Sequence, residues 1–181
     1  MELKTNRLIL KKMKSEDLNF VYNLASNQQV YYYEADKEPN KDDVFKNFQG
    51  KIDRMEKTPN EYQIYIIYLY PKEIPIGIVF IQLNWEEMRE WETGYELHPD
   101  FWGKGYATEA VKLLLNHCFD TLNAHKIVGF CNANNKKSSK LMERIGMTRD
   151  GLLREGRLWH NEWCDEYVYS ILEKERSLLN D

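Results

Sequence analysis

A chain of 181 residues, with 43% hydrophobic and 30% charged side chains, nine Gly and five Pro, has globular composition and room for one ordinary core. Disordered and fibrous organisations are set aside, and a single domain over residues 1–181 is expected. The 25 Lys and Arg against 29 Asp and Glu give a formal charge of −4 with no basic cluster, and no apolar run approaches bilayer length, so neither a nucleic-acid partner nor a membrane is predicted.

In chain order, Arg7 to Met13 reads as a short strand, and Ser15 is placed to cap a helix carrying Leu18, Val21, Tyr22 and Leu24. Tyr31 to Pro39 reads as a loop. A second helix is predicted from near Asn40 to Lys57, with Val44, Phe48, Ile52 and Met55 at helical spacing. Tyr62 to Tyr70, Ile76 to Leu83 and Trp91 to Leu97 then read as a three-stranded meander. Beyond Gly105 the stripe Ala107, Ala110, Val111, Leu114, Leu115 and Cys118 predicts the chain's strongest helix. A strand over Lys126 to Cys131, a short helix over Ser138 to Ile145 ending at Gly146, and strands near Gly151 to Leu158 and Trp163 to Leu172 complete the order. No internal repeat or linker interrupts it.

The chemistry is concentrated between Gly94 and Ala110, where a strand ends at Pro99 and a turn containing Gly103 and Gly105 enters the strong helix. Glycines let backbone approach a ligand closely, and the free N–H groups of a first helical turn lie at the positive end of the helix dipole, so a pyrophosphate fits there. The loop lacks both the spacing of a nucleotide P-loop and the three-glycine pattern of dinucleotide folds. Taken alone, the glycine pair fits a purely structural turn equally well. The four histidines show no metal-ligand spacing and no Ser-His-Asp order is present, so no metal is predicted. Cys118, Cys131 and Cys164 match neither a zinc pattern nor a disulfide set, which points to reduced thiols in a cytoplasmic protein.

The residues flanking the glycines carry a resemblance. Gly94-Tyr-Glu-Leu-His-Pro-Asp-Phe-Trp-Gly-Lys-Gly-Tyr-Ala-Thr-Glu-Ala110 is similar to the acetyl-CoA motif of the GNAT superfamily of N-acetyltransferases, and more narrowly to the branch of ribosomal-protein N-terminal alanine acetyltransferases. Thr5-Asn-Arg-Leu-Ile-Leu10, Asn135-x-x-Ser138 with Met142-Glu-Arg-Ile-Gly-Met147, Asp150-Gly-Leu-Leu-Arg154 and Asp165-Glu-x-Val-Tyr-Ser170 resemble further segments of that branch in the right order. The resemblance implies an α/β fold with a mixed, mostly antiparallel, seven-stranded sheet flanked by about four helices. It implies direct transfer of the acetyl group of acetyl-CoA to a primary amine, of a protein N-terminus or a small molecule, and a homodimer is a further expectation. A non-catalytic acyl-CoA sensor of the same fold is the alternative, and an interaction protein with a structural glycine turn a third reading.

Carried over residue by residue, the resemblance places the pyrophosphate on the backbone of Gly103, Lys104, Gly105, Tyr106, Ala107 and Thr108. Trp102 stands where the wider superfamily has Arg or Gln. Leu97 and His98 would pair their backbone with the pantetheine arm, and the Lys104 ammonium either touches a phosphate or is solvated. Asn135 and Ser138 fall where a polar pair lies beside pantetheine and sulfur, with Ser138 able to protonate the departing thiolate, although both also suit the start of a helix. Met142 occupies the place of a helix tyrosine that serves many relatives as general acid. Glu96 is the expected base, with Glu92, Glu155 or a water chain as alternatives, and Arg157 falls where some relatives carry a glutamate. Tyr31 to Tyr33, Trp85, Trp159 and Trp163 are candidates for lining an acceptor cleft.

Overall fold

Eight strands form one sheet in the order β1-β2-β3-β4-β5-β6-β8-β7 in a computed structural model that describes residues 2–34 and 39–179. The strands are β1 (Glu2–Lys4), β2 (Leu8–Lys12), β3 (Tyr62–Leu69), β4 (Ile74–Trp85), β5 (Glu90–Leu97), β6 (Lys126–Asn132), β7 (Thr148–Trp159) and β8 (Glu162–Leu172). The helices are α1 (Leu18–Ala25), α2 (Gln28–Tyr31), α3 (Lys41–Lys57), α4 (Tyr106–Thr121) and α5 (Lys136–Arg144), with short 3-10 turns at Ser15–Asp17, Pro99–Phe101 and Glu173–Leu179. Every neighbouring pair of strands is antiparallel except β5 and β6. The mixed, mostly antiparallel α/β architecture is the one expected.

The sheet is covered on both faces. Ile64 and Ile66 of β3 point into a core with Leu18, Val21 and Leu24 of α1 and Val44, Phe48, Ile52 and Met55 of α3. Their neighbours Tyr65 and Ile67 point the other way, against Ala110, Val111, Leu114 and Leu115 of α4 and Met142 of α5. The period-2 alternation of a strand buried on both faces thus serves two helical layers with one run of apolar residues.

Three local readings change. The eighth strand is Glu2–Lys4, which pairs Leu3 with Leu10; two charges in three residues conceal it in the sequence. Ser15 does not cap α1: its hydroxyl donates to Gln49, and Asp17 instead accepts the Lys14 N–H at 2.9 Å. The expected loop at Tyr31 to Pro39 is preceded by the single turn α2, capped by Asn27, while residues 35–38 lie outside the described residues. Asn40 caps α3 as the sequence indicates, accepting the Asp43 N–H at 2.9 Å. Gly146, at φ 90°, closes α5, with the Gly146 and Met147 amides returning to the carbonyls of Glu143 and Met142.

Candidate active site

Strands β5 and β6 pair in parallel only from Glu90 to Glu92, against Lys126 to Val128, and then part. The His98 N–H donates to the carbonyl of Ile76, which makes Leu97 and Gly77 a non-hydrogen-bonded pair of the β4–β5 ladder. With that register, the backbone groups of Thr93, Tyr95 and Leu97 point away from β4 and toward the gap. His98 has both backbone groups engaged within the chain, its carbonyl accepting from Phe101. The Leu97 carbonyl accepts from the Trp102 indole N–H at 2.7 Å. Of the two residues assigned to pantetheine, Leu97 therefore faces the gap and His98 does not; Tyr95, not singled out by the motif, faces it instead.

At the mouth of the gap stands the glycine loop. Gly103 and Gly105 have φ of 73° and 80°, a left-handed backbone in which an L side chain is strained, and a Cβ on Gly103 would meet nothing within 4 Å. Among the described residues, none of the amides from Gly103 to Thr108 donates to a protein acceptor. They form a ring of donors at the N-terminus of a 16-residue helix. The Lys104 ammonium donates to the Asp100 carbonyl at 2.8 Å and is held within the loop. Trp102 is covered by the Lys137 ammonium, 3.9 Å from the ring centroid. Arg7 anchors the loop from outside: it pairs with Glu109 in the first turn of α4, donates to the Lys104 carbonyl at 3.2 Å and stacks on Tyr106. Thr5 also donates to Glu109, so the Thr5-Asn-Arg segment of the sequence holds the loop in place.

Tyr95 and Ser138 meet on the α4/α5 face of the sheet. The two hydroxyls lie 2.9 Å apart, and Asn135 caps α5 by accepting the Ser138 N–H at 3.1 Å. Asn135 thus acts on Ser138 through the backbone. Burial, the main cause, pushes the Tyr95 hydroxyl far above its ordinary value, so it remains a proton donor. Cys131 is buried beside Ser138, and desolvation raises its thiol to about 11, which keeps it protonated and unreactive. Met142 is a core residue packed against Gly129.

Glu96 projects from the opposite face. Its cross-strand partner Ile78 belongs to the α1/α3 core, whereas Val79, opposite Tyr95, belongs to the other. Desolvation, with repulsion from Glu34 and against attraction from Lys51, pushes the Glu96 carboxyl up to about 7. Glu92 shares that face as expected, but accepts from Gln82 and Asn84 at 3.0 and 3.2 Å and is committed to them. Glu155 is exposed at a bulge in β7, with φ 52°. Arg157 donates to Glu34 at 2.9 Å and to Glu166 at 2.6 Å. Tyr32, Tyr33 and Trp159 form a ring cluster at the same end, with the Trp159 indole donating to the Tyr32 carbonyl at 2.7 Å. Trp85 and Trp163 are 57% and 66% exposed and join neither this cluster nor any core.

Tyr95, Arg7, Lys51, Glu34 and Glu166 were not singled out from the residues. Tyr95 was discoverable, since it alternates with Glu96 on the strand that carries the motif. The Glu34–Arg157 pair, 123 positions apart in the chain, left no local signal.

Residues 7–148 match the family model of the acetyltransferase (GNAT) domain. A Bacillus subtilis protein described as the uncharacterized N-acetyltransferase YnaD is 33% identical over 178 residues, covering 97% of this chain and 99% of its own. The spermidine N(1)-acetyltransferase of Vibrio cholerae is 26% identical over 175 residues, covering 93% and 94%. The solved structure of RimL, the ribosomal L7/L12 α-N-protein acetyltransferase in complex with coenzyme A, superposes with a TM-score of 0.85 over 95% of this chain and 98% of that one, at 16% identity, a likeness of fold alone.

Proposed function

The chain belongs to the acetyltransferase (GNAT) family and is an N-acetyltransferase, and we propose that its acetyl donor is acetyl-CoA, bound in the gap between β5 and β6. The observation that carries this reading is the combination of a parting strand pair with a ring of unpaired amides at its mouth. The amides of Gly103 to Thr108 receive the pyrophosphate, and the edge formed by the backbone of Tyr95 and the Leu97 N–H receives the pantetheine arm as an added strand would be received. The thioester supplies an activated carbonyl and a leaving group that departs readily, since a thiol has a pKa of ~8.5.

The residues divide the proton work between the two faces of the sheet. On one face Ser138, its amide held by Asn135 and its hydroxyl by Tyr95, donates a proton to the departing sulfur. On the other, Glu96 takes the proton that the amine loses as its nitrogen bonds to the carbonyl carbon and the carbon–sulfur bond breaks. A carboxyl held at about 7 accepts a proton at neutral pH better than an ordinary one. Residues 1–181 act in this reading as one catalytic domain.

The test compares melting temperatures with and without acetyl-CoA, in the wild type and in Gly103→Asp, which puts a carboxylate where the pyrophosphate sits. Saturation at about a hundred times Kd stabilises the wild type by about 2.7 kcal/mol and leaves the variant unmoved. Equal shifts in both would remove the loop from the binding site.

A further inference from the structure

Resting on the reading above, we propose that Arg157 is a specificity-determining residue that fills one ammonium seat of the acceptor site, so that the site takes an amine carrying a single positive charge and rejects di- and polycations. The juxtaposition behind it is a cluster on the Glu96 side of the gap. Arg157 of β7 bridges Glu34, which follows α2, and Glu166 of β8, with its Nε and Nη2 both donating to one oxygen of Glu166 and its Nη1 donating to Glu34. Its side chain is 26% exposed and that of Glu166 12%, so the pair is largely withdrawn from water. Glu34 repels the Glu96 carboxylate and Lys51 attracts it, which ties the ion-paired cluster to the assigned base.

Among the described residues, the cluster holds three carboxylates, Glu34, Glu96 and Glu166, and two cations, Arg157 and Lys51. Once Glu96 is ionised, one negative charge is left uncompensated. A monocationic amine neutralises it and delivers its nitrogen to the single carboxylate without a hydrogen-bonded cation of its own. A second ammonium on the same molecule finds Glu34 and Glu166 already held by a planar fork of donors, and its loss of hydration goes unanswered. The guanidinium is thus an internal stand-in for the second charge of a diamine.

The experiment measures binding by thermal shift and turnover by CoA release, with propylamine and butane-1,4-diamine as probes. Arg157→Gln raises the site charge to −2 and is expected to shift the preference toward the diamine by tenfold or more, in both affinity and kcat/KM. Arg157→Gln combined with Glu166→Gln returns the charge to −1, leaves no orphaned carboxylate at 166, and is expected to restore the wild-type preference. Glu34→Gln, at a position whose side chain is 49% exposed, brings the charge to zero and weakens propylamine severalfold. A wild type that prefers the diamine, ratios that do not follow the charge count, or amines that bind none of the proteins would overturn the proposal. Binding that follows the count without any CoA release would sustain it and sink the acetyl-transfer reading instead.

Discussion

Replacing Glu96 with Gln tests the base assignment through stability as well as rate. The folded chain holds the Glu96 carboxyl at about 7 against an ordinary 4.5, a difference worth about 3 kcal/mol. The pKa is raised, so the folded protein keeps a proton that the unfolded chain releases between these values. This contribution is fully present below pH 4.5 and is lost as pH climbs through about 7. Glutamine has no charge to desolvate and suffers no such loss. The variant should therefore match the wild type near pH 4.5 and exceed it by about 3 kcal/mol at pH 8, which for a chain of this size is roughly 6–12 °C in Tm. Melting curves in matched buffers across that range read the difference directly. In parallel, wild-type amine acetylation should rise through pH 7 to a plateau, and Glu96→Gln should lose that rise together with about 10²–10⁴ in kcat/KM. Wild-type and variant Tm profiles that run parallel with pH would refute the buried-carboxyl argument. A variant that keeps the rise through pH 7 would place the base elsewhere.

Ser138→Ala should lower kcat by no more than about tenfold, because the thiolate leaves readily without a donor; single-turnover CoA release checks this, and a loss beyond a thousandfold would make the serine indispensable. Asn135→Ala removes the α5 cap and should cost about 1 kcal/mol, or about 2–4 °C in Tm, in addition to a kcat loss no larger than that of Ser138→Ala, since it acts only through the amide that fixes the serine.

The legible parts of this chain were those set by local periodicity. The stripe Ala110, Val111, Leu114, Leu115 defined α4 because a 3.6-residue repeat must face a core, and Gly146 marked the end of α5 because only a residue tolerant of φ 90° closes that turn cheaply. The glycine loop was visible for the same reason, with two positive-φ positions followed directly by a helix. Long-range pairing was not legible. Arg7 and Glu109, or Glu34, Arg157 and Glu166, come together only after the sheet order is set, and no spacing along the chain encodes their contact. Ser15 illustrates a different failure: it lies inside a 3-10 turn that precedes α1, where its hydroxyl donates to Gln49 while the Asp17 carboxylate accepts the Lys14 amide.

The position of Tyr95 and Glu96 as consecutive residues has a mechanical consequence for the proposed reaction. Neighbours on a strand point to opposite faces, so one donor and one acceptor of protons are delivered to the two sides of the gap by a single peptide unit. The donor side is then linked to α5 through Ser138, and the acceptor side to the Glu34–Arg157–Glu166 cluster. A proton leaving the amine and a proton reaching the sulfur need no common carrier, and the sheet itself keeps the two groups apart. The same geometry fixes the register of β5: a one-residue slip would put the Glu96 carboxyl beside Ser138 and the Tyr95 ring against the α1/α3 core. The ladder from Gly77 through Gln82 opposite Leu97 through Glu92 runs without a bulge, and it is this unbroken stretch that holds both side chains in place.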